Sequence, residues 1–254
     1  MSKLIISVSG LRGIVGETLD GDVAMRYARA FAAETPPGTL IIARDGRATG
    51  PMLAAAVEAA LTGAGRDVLL ADVAATPTVG VLVRALQAAG ALQISASHNP
   101  PQYNGIKLFG NDGRVLSADR GAKIAERYRS GQLAPWVQHA HVGTRRLLED
   151  TRSAHAQRVL ETVDAGRIRR RSLHVLLDAN HGAGGLLGRE LLEQLGCRVT
   201  VLGAEPNGLF AHPPEPTADN LAGSAHASRA AAWRANASVW SAVGRNLRSP
   251  SRNR

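Results

Sequence analysis

Short apolar runs recur along this chain, and stretches with helical spacing separate them. Leu4–Ser9, Thr39–Ala43, Val68–Ala71, Ala91–Ile94, Lys107–Gly110, Leu173–Leu177 and Arg198–Leu202 read as strands. Between them, residues 21–34 place Val23, Tyr27, Ala30 and Phe31 on one helical face. Pro51–Leu61 has helix-forming composition with proline at its first position, which suits N1 usage. Val79–Ala89, opened by the turn Ala75-Thr76-Pro77-Thr78, predicts another helix. So do Ser117–Tyr128 with Ser117 as N-cap, residues 148–165, and the stretch ending at Leu195. Strands alternating with helices predict an α/β fold on a parallel or mixed sheet. Functional loops of such sheets lie beyond the carboxyl ends of the strands. Residues 131–146 read as irregular, and Arg167–Arg171 as a solvated basic linker at a domain junction.

Composition narrows the class. The chain has 254 residues, 44% hydrophobic and 4% aromatic, enough for one large domain or two small ones. No stretch approaches the roughly twenty apolar residues of a membrane span. The N-terminus runs directly into a strand pattern without a signal-peptide layout. A single cysteine, Cys197, excludes an internal disulfide framework and suits a reducing cytoplasm. The net charge is +9, but six of those charges are arginines in residues 222–254, which contain no Lys, Asp or Glu. A nucleic-acid binder spreads its basic residues over a folded face. Here the excess sits in a terminal segment, expected to be a divergent, disordered basic tail. Nucleic-acid binding through that tail therefore ranks last among the functional readings.

The richest chemistry lies in Ile94–Lys107. Ser95-Ala96-Ser97-His98-Asn99-Pro100-Pro101 follows an apolar strand, and Asn104-Gly105 suggests a second turn. The two prolines fix φ and forbid helix, so Ser97 is presented rather than buried. That suits a nucleophile or phosphate carrier, although a plain turn capped by Ser and Asn has the same signature. Lys107 is one of only three lysines, with Lys3 and Lys123. It stands where an amine that can move protons is useful. Gly10–Gly16 reads as a strand-end turn presenting Arg12. Arg44, Arg47 and Ser97 also follow predicted strand ends, so the four could share one edge of the sheet.

Two other patterns are weaker. Asp178-Ala179-Asn180-His181-Gly182-Ala183-Gly184-Gly185 resembles a dinucleotide-binding turn, but Leu187 stands where the third glycine is due. A nicotinamide cofactor is accordingly not expected. His181, His212 and His226 are too scattered to suggest zinc. Ser97 and His98 lack a Gly-x-Ser-x-Gly elbow.

Taken in order, the motifs resemble the α-D-phosphohexomutase family of phosphoglucomutases, phosphomannomutases and phosphoglucosamine mutases. They are Ser-Gly-Leu-Arg-Gly-Ile at 9–14, Ala-Arg-Asp-Gly-Arg at 43–47, Ala-Thr-Pro-Thr at 75–78 and Ser-Ala-Ser-His-Asn-Pro at 95–100. Tyr-Asn-Gly-Ile-Lys at 103–107, residues 178–185 and Pro-Glu-Pro-Thr at 214–217 complete the set. The resemblance, which covers residues 4–221, implies a three-layer mixed-sheet first domain over 1–150. A second, incomplete α/β domain over 151–221 would follow, then the tail.

It also implies an isomerase that moves a phosphoryl group within a hexose phosphate. Ser97 would carry the phosphoryl group through a bisphosphate intermediate. Arg12 and Lys107 would be its charged catalytic partners, and His98 and Asn99 would shape the loop and bind phosphate. Mg²⁺ would be bound through the Ser97 phosphate, with the family's carboxylate ligands absent from this sequence. On that reading the chain is expected to be truncated and inactive alone. The alternative is a non-catalytic fragment that binds a sugar phosphate or a partner protein. The sequence fixes neither the sugar nor the oligomeric state.

Overall fold

Apolar runs without alternation belong to strands covered on both faces, and the sheet shows why they are needed here. The protein is described by a computed structural model over residues 3–7 and 10–223. Its main sheet has seven strands in the order β1-β2-β6-β5-β3-β4-β7. They are β1 (Ile5–Ser7), β2 (Gly10–Ile14), β3 (Leu40–Arg44), β4 (Val68–Val73), β5 (Gly90–Ile94), β6 (Tyr103–Gly110) and β7 (Arg145–Leu147). β3 pairs parallel with β4 and β5, and β4 with β7. β2 pairs antiparallel with β1 and β6, and β5 with β6. The sheet is mixed.

Helices cover both faces, giving the three layers. Along β3, Leu40 and Ile42 enter a core shared with α1 (Gly21–Glu34), α2 (Gly50–Gly63) and α4 (Ala118–Ser130). The alternate residues Ile41 and Ala43 enter a second core with Val79, Leu82 and Val83 of α3 (Thr76–Ala85). The first four positions of the strand, Leu40–Ala43, are buried because successive side chains leave on opposite faces into these two cores. Local chemistry sets the helix ends. The Asp20 carboxylate accepts from Val23 N–H at 2.8 Å at the start of α1, and Pro51 sits in the first turn of α2.

A second, two-stranded parallel sheet joins β8 (His174–Asp178) and β9 (Arg198–Leu202) through α7 (Gly184–Gln194). The described residues up to Glu215 form one compact unit, and those from Pro216 onward lie outside it. Beyond Glu215 only residues 216–223 are described, so the tail expected from 222 onward falls almost wholly outside the described residues. Among the described residues, no helix is long and apolar enough to cross a membrane.

Several local expectations need correction. Gly10–Gly16 is not a turn: Gly10–Ile14 is strand β2, and Arg12 sits within it. Asn104-Gly105 is likewise no turn, because both residues lie inside β6 with Gly105 opposite Arg12. The glycine is there for close approach, since a side chain at Gly105 would run into the Leu11 carbonyl. α3 begins three residues before Val79 and ends at Ala85; beyond it Gln87 turns left-handed at φ 51°. Residues 131–146 contain a 3₁₀ turn at His139–His141 and most of edge strand β7. The stretch 148–165 holds α5 (Ser153–Leu160), and the basic run belongs to α6 (Ala165–Arg170) rather than a linker. Asp164 starts that helix by accepting from Arg167 N–H at 2.8 Å.

Candidate active site

β5 and β6 are neighbours in the sheet, and the Ser97 loop is the connection between them. Ser95 N–H still bonds the Gly105 carbonyl at 2.9 Å, so the ladder runs one residue past Ile94 before the chain leaves it. Ser97 then adopts a left-handed backbone at φ 59°, which is uncommon for a residue other than glycine and costs on the order of 1–2 kcal/mol. Such a conformation persists only where its surroundings impose it.

The neighbouring residues impose it. The Ser97 N–H donates to Ser95 Oγ at 3.1 Å, fixing the peptide before it. Asn99 bonds back to the Ala96 carbonyl with both its N–H (3.1 Å) and its Nδ2 (2.7 Å). Beneath the loop lies Arg47, only 2% exposed. Its Nη1 donates to the carbonyls of Pro100 (2.7 Å) and Tyr103 (3.0 Å). Its Nη2 donates to those of Ser97 (3.1 Å) and Asn99 (2.6 Å), and its Nε to Asp45 Oδ2 at 3.2 Å. A guanidinium has five N–H donors, and each has an acceptor here. Burial lowers the pKa of Arg47, while the charge of Asp45 and its hydrogen bond work against the shift.

Above this scaffold Ser97 is exposed, as is His98. Both line a pocket of about 220 Å³ with Arg12, Lys107, Ser95 and Gly10. The register explains the meeting of the two cations. Gly10 lies opposite Lys107 and Arg12 opposite Gly105, so Arg12 and Lys107 leave the same face of adjacent strands as diagonal neighbours. Among the described residues, neither cation is in a salt bridge. Two basic side chains without a carboxylate beside them and an exposed hydroxyl make a surface suited to an anion.

Ser97, His98, Arg12 and Lys107 therefore come together. Asn99 does not line the pocket; its amide is used inside the loop. Arg44 and Arg47 do not share the edge as the sequence suggested. Arg44 Nε turns to Asp72 at 2.7 Å, and Arg47 is buried under the loop. The clamp formed by Arg47 is the feature sequence reasoning missed. Its only signal was the Ala-Arg-Asp-Gly-Arg motif itself.

The 178–185 loop is a separate arrangement. Asn180 and His181 are both left-handed, at φ 44° and 53°. Asn180 Oδ1 accepts from Ala211 and His212 N–H, and its Nδ2 donates to the His212 carbonyl. His212 faces acceptors with both ring nitrogens, Asp178 Oδ2 and the Pro213 carbonyl, each at 3.0 Å. Burial pulls the His212 pKa down, but these two hydrogen bonds and the Asp178 charge outweigh it, and the pKa is raised.

Comparison with known proteins decides the lineage. Residues 3–134 match "Phosphoglucomutase/phosphomannomutase, alpha/beta/alpha domain I", and residues 153–241 match domain II of the same description. The chain belongs to the phosphohexomutase family. The domain II match runs past Leu221, where the quoted motifs end. A phosphoglucomutase/phosphomannomutase of Thermococcus kodakarensis is 35% identical over 233 residues, which are 88% of this chain and 50% of that one. A phosphoglucosamine mutase of Cereibacter sphaeroides is 39% identical over 82% of this chain and 47% of its own length. A crystal structure of a phosphoglucomutase/phosphomannomutase family protein from Burkholderia thailandensis superposes with a TM-score of 0.73 at 29% identity. It covers 86% of this chain and 48% of that one. This phosphohexomutase chain thus spans about half the length of the curated relatives it matches.

Proposed function

We propose that this chain carries the phosphoserine half of a hexose-phosphate isomerase, with Ser97 as the phosphoryl carrier. The observation that supports it is the pocket that joins an exposed, strained Ser97 to Arg12, Lys107 and His98. In the transfer, the P–Oγ bond of phosphorylated Ser97 breaks as a bond forms between phosphorus and a sugar hydroxyl oxygen. The Lys107 ammonium gives a proton to the departing Ser97 Oγ, and the amine so formed takes the proton of the sugar hydroxyl, so charge and protons balance. Arg12 offsets the negative charge on the transferring oxygens. Phosphoryl transfer is mostly positioning and charge neutralisation, and this pocket offers both. His98 would bind the phosphate from the loop's exposed side, and Asn99 would hold the loop's shape. A hexose phosphate in the cytoplasm is the substrate class this reading names.

Mg²⁺, which the family resemblance implies, needs oxygen ligands. The pocket lining contains no carboxylate, and no group of three or more His, Cys, Asp or Glu among the described residues could hold a metal. The described residues do not make a Mg²⁺ site; a phosphate on Ser97 would offer oxygens but not a full ligand set. That observation favours a second reading for the 254 residues taken alone, namely phosphate acceptance and sugar-phosphate binding without turnover. An assay of the purified chain with hexose 1-phosphate, Mg²⁺ and a hexose bisphosphate separates the two. Ser97 labelling without isomerisation is expected, and robust turnover would overturn the claim of inactivity alone.

A further inference from the structure

The Arg47 clamp is itself held, and by residues far along the chain. Arg47 forms the floor of the Ser97 loop, and the turn Pro206–Gly208 after β9 packs directly on Arg47 and Gly46. A side chain at Gly208 would come within 2.6 Å of Arg47 Cα, and one at Gly46 would strike the Pro206 carbonyl. Gly208 N–H bonds the His181 carbonyl at 3.1 Å, tying that turn to the loop after β8. The ring of Phe210 lies over the Arg47 guanidinium, 5.0 Å from its carbon to the ring centroid. The edge of the guanidinium is already saturated with five acceptors, so only its faces remain, and Phe210 covers one.

We propose that Arg47 and Phe210 are positioning residues for Ser97, so that the segment after β9 sets the geometry of the serine loop. The physical route is short. Phe210 and the Gly208 turn seat Arg47; Arg47 holds the carbonyls of Ser97, Asn99, Pro100 and Tyr103; and those bonds hold Ser97 left-handed. A lysine could not replace this arginine, because an ammonium has three donors on a point charge and cannot span four carbonyls and a carboxylate. Functionally, the loop is shaped before any substrate arrives, and its shape depends on the second domain being in place. The proposal rests on reading Ser97 as the phosphoryl carrier.

The test is amide exchange by NMR on the full chain, comparing Phe210→Ala with Phe210→Tyr, which keeps the ring. The amides of Ser97, Asn99 and Tyr103 report the loop, and Leu92 in β5 reports global stability. A desolvated cation–π contact is worth enough to change local opening about tenfold. F210A is expected to speed the loop amides by about that factor with Leu92 unchanged, and F210Y to leave both as they are. Unchanged loop amides in F210A, or a parallel rise at Leu92, would overturn the proposal. Arg47→Lys is the second variant: it keeps the charge, and its loop should open as in F210A, whereas protection equal to the unsubstituted chain would also overturn it. A separate reaction of the unsubstituted chain with hexose bisphosphate tests the carrier reading. Failure of Ser97 to label defeats that reading, while the exchange data decide the positioning claim independently.

Discussion

Two strand-end loops of this chain carry rare left-handed residues, and they are held in different ways. The loop after β5 is gripped from below by a buried arginine whose donors are all used. The loop after β8 is held from the side by Asn180 and the Asp178–His212 pair, both part-exposed. The strands beneath differ in the same sense. All five residues of β5 are buried, whereas none of β8 is. A loop anchored in a closed core keeps its shape across conditions; one anchored by a titratable, half-wet pair changes with pH.

The largest expected effect comes from removing the buried clamp. Arg47→Met removes the side-chain donors to Asp45 Oδ2 and to four carbonyls, and breaking an ion pair whose arginine is buried costs about 3–5 kcal/mol. Urea unfolding should show a loss of that size, and a loss below about 1 kcal/mol would mean water or other groups replace the arginine. Next in size are matched truncations in the two strands. Leu92→Ala in β5 should cost about 2–5 kcal/mol, as for a fully buried leucine. Leu176→Ala in half-buried β8 should cost less than half as much on the same scale. Equal losses would show that β8 is as well covered as β5.

The smallest effect is the most diagnostic. His212 has a raised pKa, so its charged form stabilises the fold fully below its ordinary 6.5, and this is lost as pH rises through the raised value. His155 accepts at Nδ1 from, or donates to, Thr78 Oγ1 at 2.9 Å, and burial lowers its pKa. Its contribution is therefore present above its ordinary 6.5 and lost as pH falls through the lowered value. NMR titration of the two imidazoles should show displacements of opposite sign, with Asp178→Asn drawing His212 back down. Coincident titration of both at the ordinary value would contradict the geometry.

The apolar runs made the central strands legible, because β5 and most of β3 and β4 are covered on both faces and are written largely in Leu, Ile, Val and Ala. β2 and the start of β6 were not legible. Gly10, Gly13, Asn104 and Gly105 look like turn residues, yet they serve two strands that approach closely; only the pairing partner reveals this. β7 hides because three exposed residues, Arg145-Arg146-Leu147, carry no burial pattern. At the site, the meeting of Arg12 and Lys107 follows from register, which no single stretch of sequence displays. Arg47 escaped for a related reason: strand-end arginines usually face solvent or ligand, and its role here depends on carbonyls about fifty residues away in sequence.

The central claim is that Ser97 takes a phosphoryl group in a loop already shaped to present it. Intact mass and peptide mapping of the purified 254-residue chain after incubation with a hexose 1,6-bisphosphate test it directly. The account predicts one added phosphoryl group, confined to the peptide bearing Ser97 and absent from Ser97→Ala. No added mass on correctly folded protein, or phosphate on another residue with Ser97 untouched, would contradict it.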